Sequence, residues 1–239
     1  MYTILNGRLS KDLISKARNL IGDKYRSKES RHFTSAGKTF FYENPNRLLL
    51  LRNIILNVLQ NNPEIKKSFS DLHIDHAFLL LKSPGGNETP PHQDRPFWTK
   101  LEKDDSVSMI TLWFALEDIK ELNGCLKVGS SNQHCLIDFN GKNQKLFKHK
   151  DKGSKSGQFN FIIDDNEFDL KLNNCEIDEG QIIAFDAYEV HASSGNSSSK
   201  HRLSFKIVLR DNDGLISIRD LESNPLFYLL KTFFKKLVK

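Results

Sequence analysis

Cysteine is scarce in this chain of 239 residues: there are three, Cys125, Cys135 and Cys175. None is spaced as a Cys-x-x-Cys metal knuckle, and an odd count does not close into a complete disulfide framework. A reducing, cytoplasmic setting is therefore expected. Long apolar runs are missing as well. No stretch approaches the roughly 18 apolar residues of a membrane span. The opening residues, Met1 to Leu13, hold no apolar segment of signal-peptide length. Charge of one sign is not concentrated either. The formal net charge is +5 and 27% of residues are charged. Lysines and acids are mixed, however, without the one-sided basic stripe that a nucleic-acid partner requires. There is no internal repeat and no low-complexity tract. What is plentiful is aromatic surface: the chain has 17 Phe and is 38% hydrophobic. That composition excludes wholesale disorder and suits one compact domain with a sizeable core.

The periodicities divide the chain. Ser10 can cap a helix from Lys11 to Ile21, whose Leu13, Ile14, Ala17, Leu20 and Ile21 share a face. A second apolar-periodic run spans Leu48 to Leu59 and stops at Asn61-Asn62-Pro63, and the polar residues 22 to 45 between the two read as loop. From His73 the texture changes to short β-forming runs. These are His73–Leu81, Val107–Leu116, Cys125–Val128 after the Asn123-Gly124 turn, Gln181–Asp186 and Leu203–Leu209. Residues 138 to 160 read as a mobile insertion. Pro225 to Lys239 reads as a helix with one leucine and phenylalanine face and one lysine face. Such a helix can lie on an anionic membrane, but the commoner use of that face is packing on its own domain or on a dimer partner. The order, helices first and then many short strands, predicts an α+β chain, mainly β. Residues 1–70 form its helical N-terminal region, 71–212 an antiparallel sandwich or barrel, and 222–239 a C-terminal amphipathic helix.

Three stretches carry candidate chemistry. In Pro91-His92-Gln93-Asp94-Arg95, an extended backbone turns His92 and Asp94 to the same side. A lone His-x-Asp arises by chance in many chains, so it needs company. His191 follows an apolar strand and precedes the loop Ala192–Asn196. Two histidines and one carboxylate on one side of an ion leave positions open, as a non-haem iron(II) oxygenase requires. Arg202 heads the last strong strand, with Ser204 two residues on. 2-Oxoglutarate chelates iron by one end and needs a fixed cation for its far carboxylate. An arginine fork supplies that geometry at any working pH, and a hydroxyl from Ser193 or Ser204 would complete the pocket. Arg95, Phe97 and Trp98 flank the metal motif and are the candidates for contact with a small-molecule substrate. A zinc hydrolase on the same ligands would leave Arg202 without a task, and a non-catalytic sandwich that binds a small molecule is the other alternative.

These residues resemble the phytanoyl-CoA dioxygenase family over about residues 74–210. The resemblance rests on His92-Gln93-Asp94, on Thr111-Leu112-Trp113-Phe114-Ala115-Leu116-Glu117-Asp118, on Asn123-Gly124-Cys125-Leu126, and on His191 with Arg202 at the family's spacing. It implies a double-stranded β-helix (jelly-roll, cupin-like) core, iron(II), 2-oxoglutarate as cosubstrate and dioxygen. It further implies metal positions at His92, Asp94 and His191, and cosubstrate positions at Arg202, Ser193, Trp113 and Gln93. Related halogenases replace the carboxylate with a small residue, so Asp94 points to hydroxylation. The primary substrate and the oligomeric state are not encoded in any of these motifs.

Overall fold

The structure is a computed structural model that describes residues 2–26, 34–36, 45–96, 109–129, 145–151, 161–164, 171–211 and 216–223. Residues 224–239 of the expected C-terminal helix, Phe97, Trp98, Cys135, and 138–144 and 152–160 of the expected insertion lie outside the described residues.

A short edge strand, β1 (Tyr2–Ile4), precedes helix α1 (Lys11–Arg26). Ser10 caps α1 as its position predicts: its Oγ accepts from the Leu13 N–H at 3.2 Å, satisfying one of the donors a helix start leaves orphaned. Leu13, Ile14 and Ala17 are buried. Helix α1 runs on to Arg26, and a strand β2 (Thr34–Ala36) follows, so residues 22–45 are not all loop. Helix α2 (Pro45–Asn61) buries Leu48, Leu51, Ile54, Ile55, Val58 and Leu59, and a short α3 (Pro63–Ser70) starts on Pro63. Proline fits a first helical turn because the N–H it lacks would be orphaned there. The Asn62 side chain joins these pieces, donating to Val58 O and exchanging hydrogen bonds with the Asn6 backbone.

The strands are β3 (His73–Lys82), β4 (Thr89–His92), β5 (Met109–Ala115), β6 (Leu126–Val128), β7 (His149–Asp151), β8 (Phe161–Ile163), β9 (Asn173–Cys175), β10 (Ile182–Asp186), β11 (His191–Ser193), β12 (Arg202–Arg210) and β13 (Ile216–Ser217), before a last described helix α4 (Ile218–Ser223). Two main antiparallel sheets result, and β7 and β8 pair separately as a two-stranded ribbon. The larger has seven strands in the order β1-β10-β5-β12-β3-β13, with β2 also on β3; the smaller is β4-β11-β6-β9. This is the jelly-roll architecture, α+β and mainly β.

The large sheet buries both faces. Ala77, Leu79, Leu81, Ile110, Leu112, Phe114, Phe205, Ile207 and Leu209 turn to the helices and form one apolar core with them. Leu80, Trp113, Ala115, Ile183 and Phe185 turn the other way and meet Leu126, Val128 and Cys175 of the small sheet. Period-two alternation thus assigns alternate residues of each strand to the helical layer or to the sandwich interior. The candidate site lies in that interior.

Candidate metal and cosubstrate site

His92 and His191 are far apart in sequence but directly opposite in the β4–β11 ladder. Cross-strand neighbours of this kind bring side chains together, and the two ring centroids are 4.1 Å apart. Asp94 lies just past β4, where the Arg95 N–H donates to Ala187 O at 2.8 Å and pins the turn. Its Oδ1 is 4.0 Å from His92 Nε2 and 3.8 Å from His191 Nε2. One ligand atom from each of the three residues lies within 4.8 Å of the others, and all three residues are buried.

The surrounding bonds fix which atoms face the common centre. His92 Nδ1 donates to Pro90 O at 2.8 Å, and His191 Nδ1 donates to Glu189 O at 2.9 Å. Both Nε2 atoms are therefore left as acceptors, the tautomer a metal needs. Burial pushes both imidazoles below the usual histidine range, and each also feels a neighbouring positive charge. Burial alone would raise the Asp94 carboxyl, but the Lys206 ammonium, by its charge and its hydrogen bond, outweighs it and holds Asp94 ionised, well below the carboxylate range. The outer oxygen, Oδ2, accepts from Lys206 Nζ at 2.8 Å and from Thr111 Oγ1 at 3.1 Å. Two neutral imidazoles and one anionic oxygen converge on one point, a donor set that fits a divalent iron.

A second polar group lies along β12 from this point. Arg202 and Ser204 face the interior, with Nη1 donating to Ser204 Oγ at 2.5 Å and the guanidinium 5.4 Å from the Trp113 ring centroid. Lys82, opposite Arg202 in the β3–β12 ladder, donates to Ser193 Oγ at 2.8 Å and to Ser194 O at 2.5 Å. Both cations are almost wholly buried, and among the described residues no carboxylate forms an ion pair with either. Burial, then the nearby Arg202, push the Lys82 ammonium down to about 7, and burial takes Arg202 down to about 10. The Arg202 Nε is buried without a hydrogen-bond partner. Glu117 and Glu88 act on the two cations only from a distance, and a buried cation without an ion-paired partner is costly, so this pair could hold an anion. Gly124 makes room for it: at φ +95°, a Cβ there would stand 2.8 Å from Lys82 Cδ.

Of the residues singled out from sequence, the fold brings together His92, Asp94 and His191, and separately Arg202, Ser204, Ser193 and Trp113. Gln93 does not join them. It alternates to the opposite side from His92 and Asp94, and its amide is fully used: Nε2 donates to Lys145 O and Tyr188 O, and Oε1 accepts from the Phe147 N–H. Gln93 ties the 145–149 segment to the metal turn. Its backbone N–H donates to His149 Nε2 at 3.1 Å, which completes the tie. Arg95 is buried, not a surface residue, and its guanidinium stands 5.7 Å from the Tyr188 ring centroid. The sequence reasoning missed Lys82, Thr111 and Lys206. The signal was present: Lys206 interrupts an apolar strand at the same parity as Arg202 and Ser204, and Lys82 sits at the parity of Leu80 on β3.

A jelly roll with a buried two-histidine, one-carboxylate cluster defines the architecture of the non-haem iron(II) oxygenases. The chain belongs to the phytanoyl-CoA dioxygenase family, whose model, described as Phytanoyl-CoA dioxygenase (PhyH), matches residues 16–204. It is 31% identical over 140 residues to a phytanoyl-CoA dioxygenase of Arabidopsis thaliana, a match covering 58% of this chain and 44% of that protein. It is 29% identical over 145 residues to a phytanoyl-CoA dioxygenase domain-containing protein 1 of Danio rerio, covering 57% of this chain and 45% of the relative. The matches thus span less than half the length of these relatives. Among solved structures it is similar in fold to the carbocyclase SnoK of nogalamycin biosynthesis, at TM-score 0.60 and 13% identity, covering 90% of this chain and 83% of that one. It is also similar to EvdO2 of Micromonospora carbonacea var. aurantiaca complexed with 2-oxoglutarate, at TM-score 0.58 and 17% identity, covering 88% and 86%.

Proposed function

We propose that this chain is an iron(II)- and 2-oxoglutarate-dependent dioxygenase that hydroxylates an unactivated C–H bond of a small metabolite, with release of succinate and carbon dioxide. The observation that carries the reading is the pairing of two polar groups on the interior-facing strands. A three-ligand cluster with both Nε2 atoms prepared for a metal stands beside a buried Arg202–Lys82 pair that no described carboxylate meets in an ion pair. A metal alone would not need the second group, and a simple anion-binding module would not need the first.

His92, Asp94 and His191 would hold iron(II). Bound there with 2-oxoglutarate and dioxygen, it supplies the oxidising power for C–H cleavage. The chain's residues do the positioning. The Pro90 and Glu189 carbonyls fix the imidazole tautomers, and Thr111 and Lys206 hold Asp94 by one oxygen so that the other faces the histidines. Arg202, with Ser204, would take the far carboxylate of 2-oxoglutarate in a fork–carboxylate pair. Lys82, steadied by Ser193, adds the second cation, and Trp113 walls the pocket. Arg95, Phe97 and Trp98 are assigned to the substrate side, on their position next to the metal turn.

The test is oxygen-dependent succinate formation during a screen of small metabolites. A substrate that raises succinate release in the native protein, with release lost in His92→Ala and Arg202→Ala, supports the reading. Failure of the protein to take up iron(II), with no effect of 2-oxoglutarate on its melting temperature, would leave only a non-catalytic jelly roll.

A further inference from the structure

Lys206 has a place that the metal and the cosubstrate do not exhaust. It stands on β12 four residues beyond Arg202, so it faces the same interior, but at the metal end. Among the described residues, its ammonium donates only to Asp94 Oδ2, at 2.8 Å. An ammonium carries three donors. The side chain is 17% exposed, against 9% for Asp94, so it is the less enclosed partner of the pair. Its cross-strand neighbours are Phe78 on β3 and Trp113 on β5. Phe78 meets the His76 ring edge-on at 4.5 Å. His76 Nδ1 in turn hydrogen-bonds Asp75 Oδ2 at 2.5 Å, and Arg210 pairs with Asp75 at 3.3 Å. One side of Lys206 is thus an apolar ring, backed by a polar chain whose own charges are matched.

The charge count in the loaded site then decides what Lys206 faces. In the protein alone, the Asp94 carboxylate balances the ammonium. Iron(II) held by Asp94 and by one carboxylate of 2-oxoglutarate would be neutralised by those two anions. The second carboxylate would go to Arg202 and Lys82, and would leave one positive charge over at that end of β12, away from the metal. The Lys206 charge is then unmatched in a mostly buried position, which is unfavourable until an anion arrives. We infer that Lys206 is the specificity-determining cation of the substrate pocket, and that the primary substrate is a small organic acid whose carboxylate or phosphate pairs with it while its carbon skeleton lies against Phe78. This rests on the oxygenase reading above.

The experiment uses the full chain loaded with Mn(II) and saturating 2-oxoglutarate, without oxygen. Dissociation constants are measured for matched probes: hexanoate against hexanamide, phenylacetate against phenylacetamide, and phenyl phosphate against phenol. The acids should bind at least tenfold tighter than their neutral partners. Lys206→Gln, which keeps a hydrogen bond to Asp94 but removes the charge, should lose that preference, and Lys206→Arg should keep it. Equal binding of acids and neutral partners overturns the proposal, as does an absence of acid binding or an unchanged preference in Lys206→Gln. If Lys206→Gln no longer takes up Mn(II), Lys206 is only a strut for Asp94 and the proposal falls. If the native protein binds neither Mn(II) nor 2-oxoglutarate, the oxygenase reading itself has failed, and the substrate inference goes with it.

Discussion

The two faces of the seven-stranded sheet are made by the same strands and do different work. On β12, Leu203, Phe205, Ile207 and Leu209 turn toward the helices, while Arg202, Ser204 and Lys206 turn toward the small sheet. On β5, Leu112 and Phe114 face the helices, while Thr111 and Trp113 face the site. The helical face is uniformly apolar and provides stability by burial. The interior face places charged groups where they are largely buried, and there each must have a partner or await one. A strand can therefore hold an arginine, a serine and a lysine in a buried sheet, provided that its other face anchors it. Substitutions on the two faces should then separate stability from ligand binding.

The largest effect is expected on the helical face. Phe205 is 1% exposed and its ring centroid is 5.7 Å from that of Phe114. Phe205→Ala should cost about 3–5 kcal/mol of folding stability in denaturant titration, while metal affinity at low temperature stays near native. A loss of metal binding with little loss of stability would break the comparison. On the other face, His191→Ala should lower Mn(II) affinity by more than about 100-fold, the upper end of what outer-shell changes cost, with far-ultraviolet circular dichroism unchanged. Arg202→Ala should raise the 2-oxoglutarate dissociation constant by about 10- to 100-fold, the worth of a charge-assisted hydrogen bond, and leave Mn(II) binding intact.

The smallest effect is a pH dependence. Lys82 carries its charge in the free protein below about 7, and the charge is what the cosubstrate's carboxylate requires. Its dissociation constant should therefore rise with pH above about 7, and Lys82→Arg should flatten that rise. The stability effect has the opposite sense. The ammonium is lowered from 10.5 to about 7 by burial, so between those values the unfolded chain binds more protons than the folded one. Stability should then increase with pH through that window, and urea titrations at several pH values would show it.

The site's ligands were legible because they stand in local patterns. His92 and Asp94 share one side of an extended segment, and Arg202 and Ser204 share one side of a strand. The strand register was not legible. Nothing in the chain before folding pairs His92 with His191 or Lys82 with Arg202, because those pairs are set by the β4–β11 and β3–β12 ladders. Lys82 was hidden for that reason, and because a lysine at a strand end ordinarily reads as solvent-facing. Gln93 was placed with the cosubstrate positions by the family resemblance, yet alternation sends it to the opposite side from His92 and Asp94, where it binds the 145–149 backbone. In the fold, helices α1 and α2 followed from their apolar periodicity. The short strands β1, β2 and β9, of three residues each, are too brief to show a period and form because a neighbouring strand offers its edge. Among the described residues, no helix is long and apolar enough to cross a membrane.

The most direct test is a calorimetric titration without oxygen, first with Mn(II) and then with 2-oxoglutarate. The arrangement predicts one metal ion per chain, abolished in His191→Ala, and 2-oxoglutarate binding that appears only after metal loading and is weakened in Arg202→Ala. A native protein that takes up no ion, or one that binds 2-oxoglutarate equally well without metal, would contradict it.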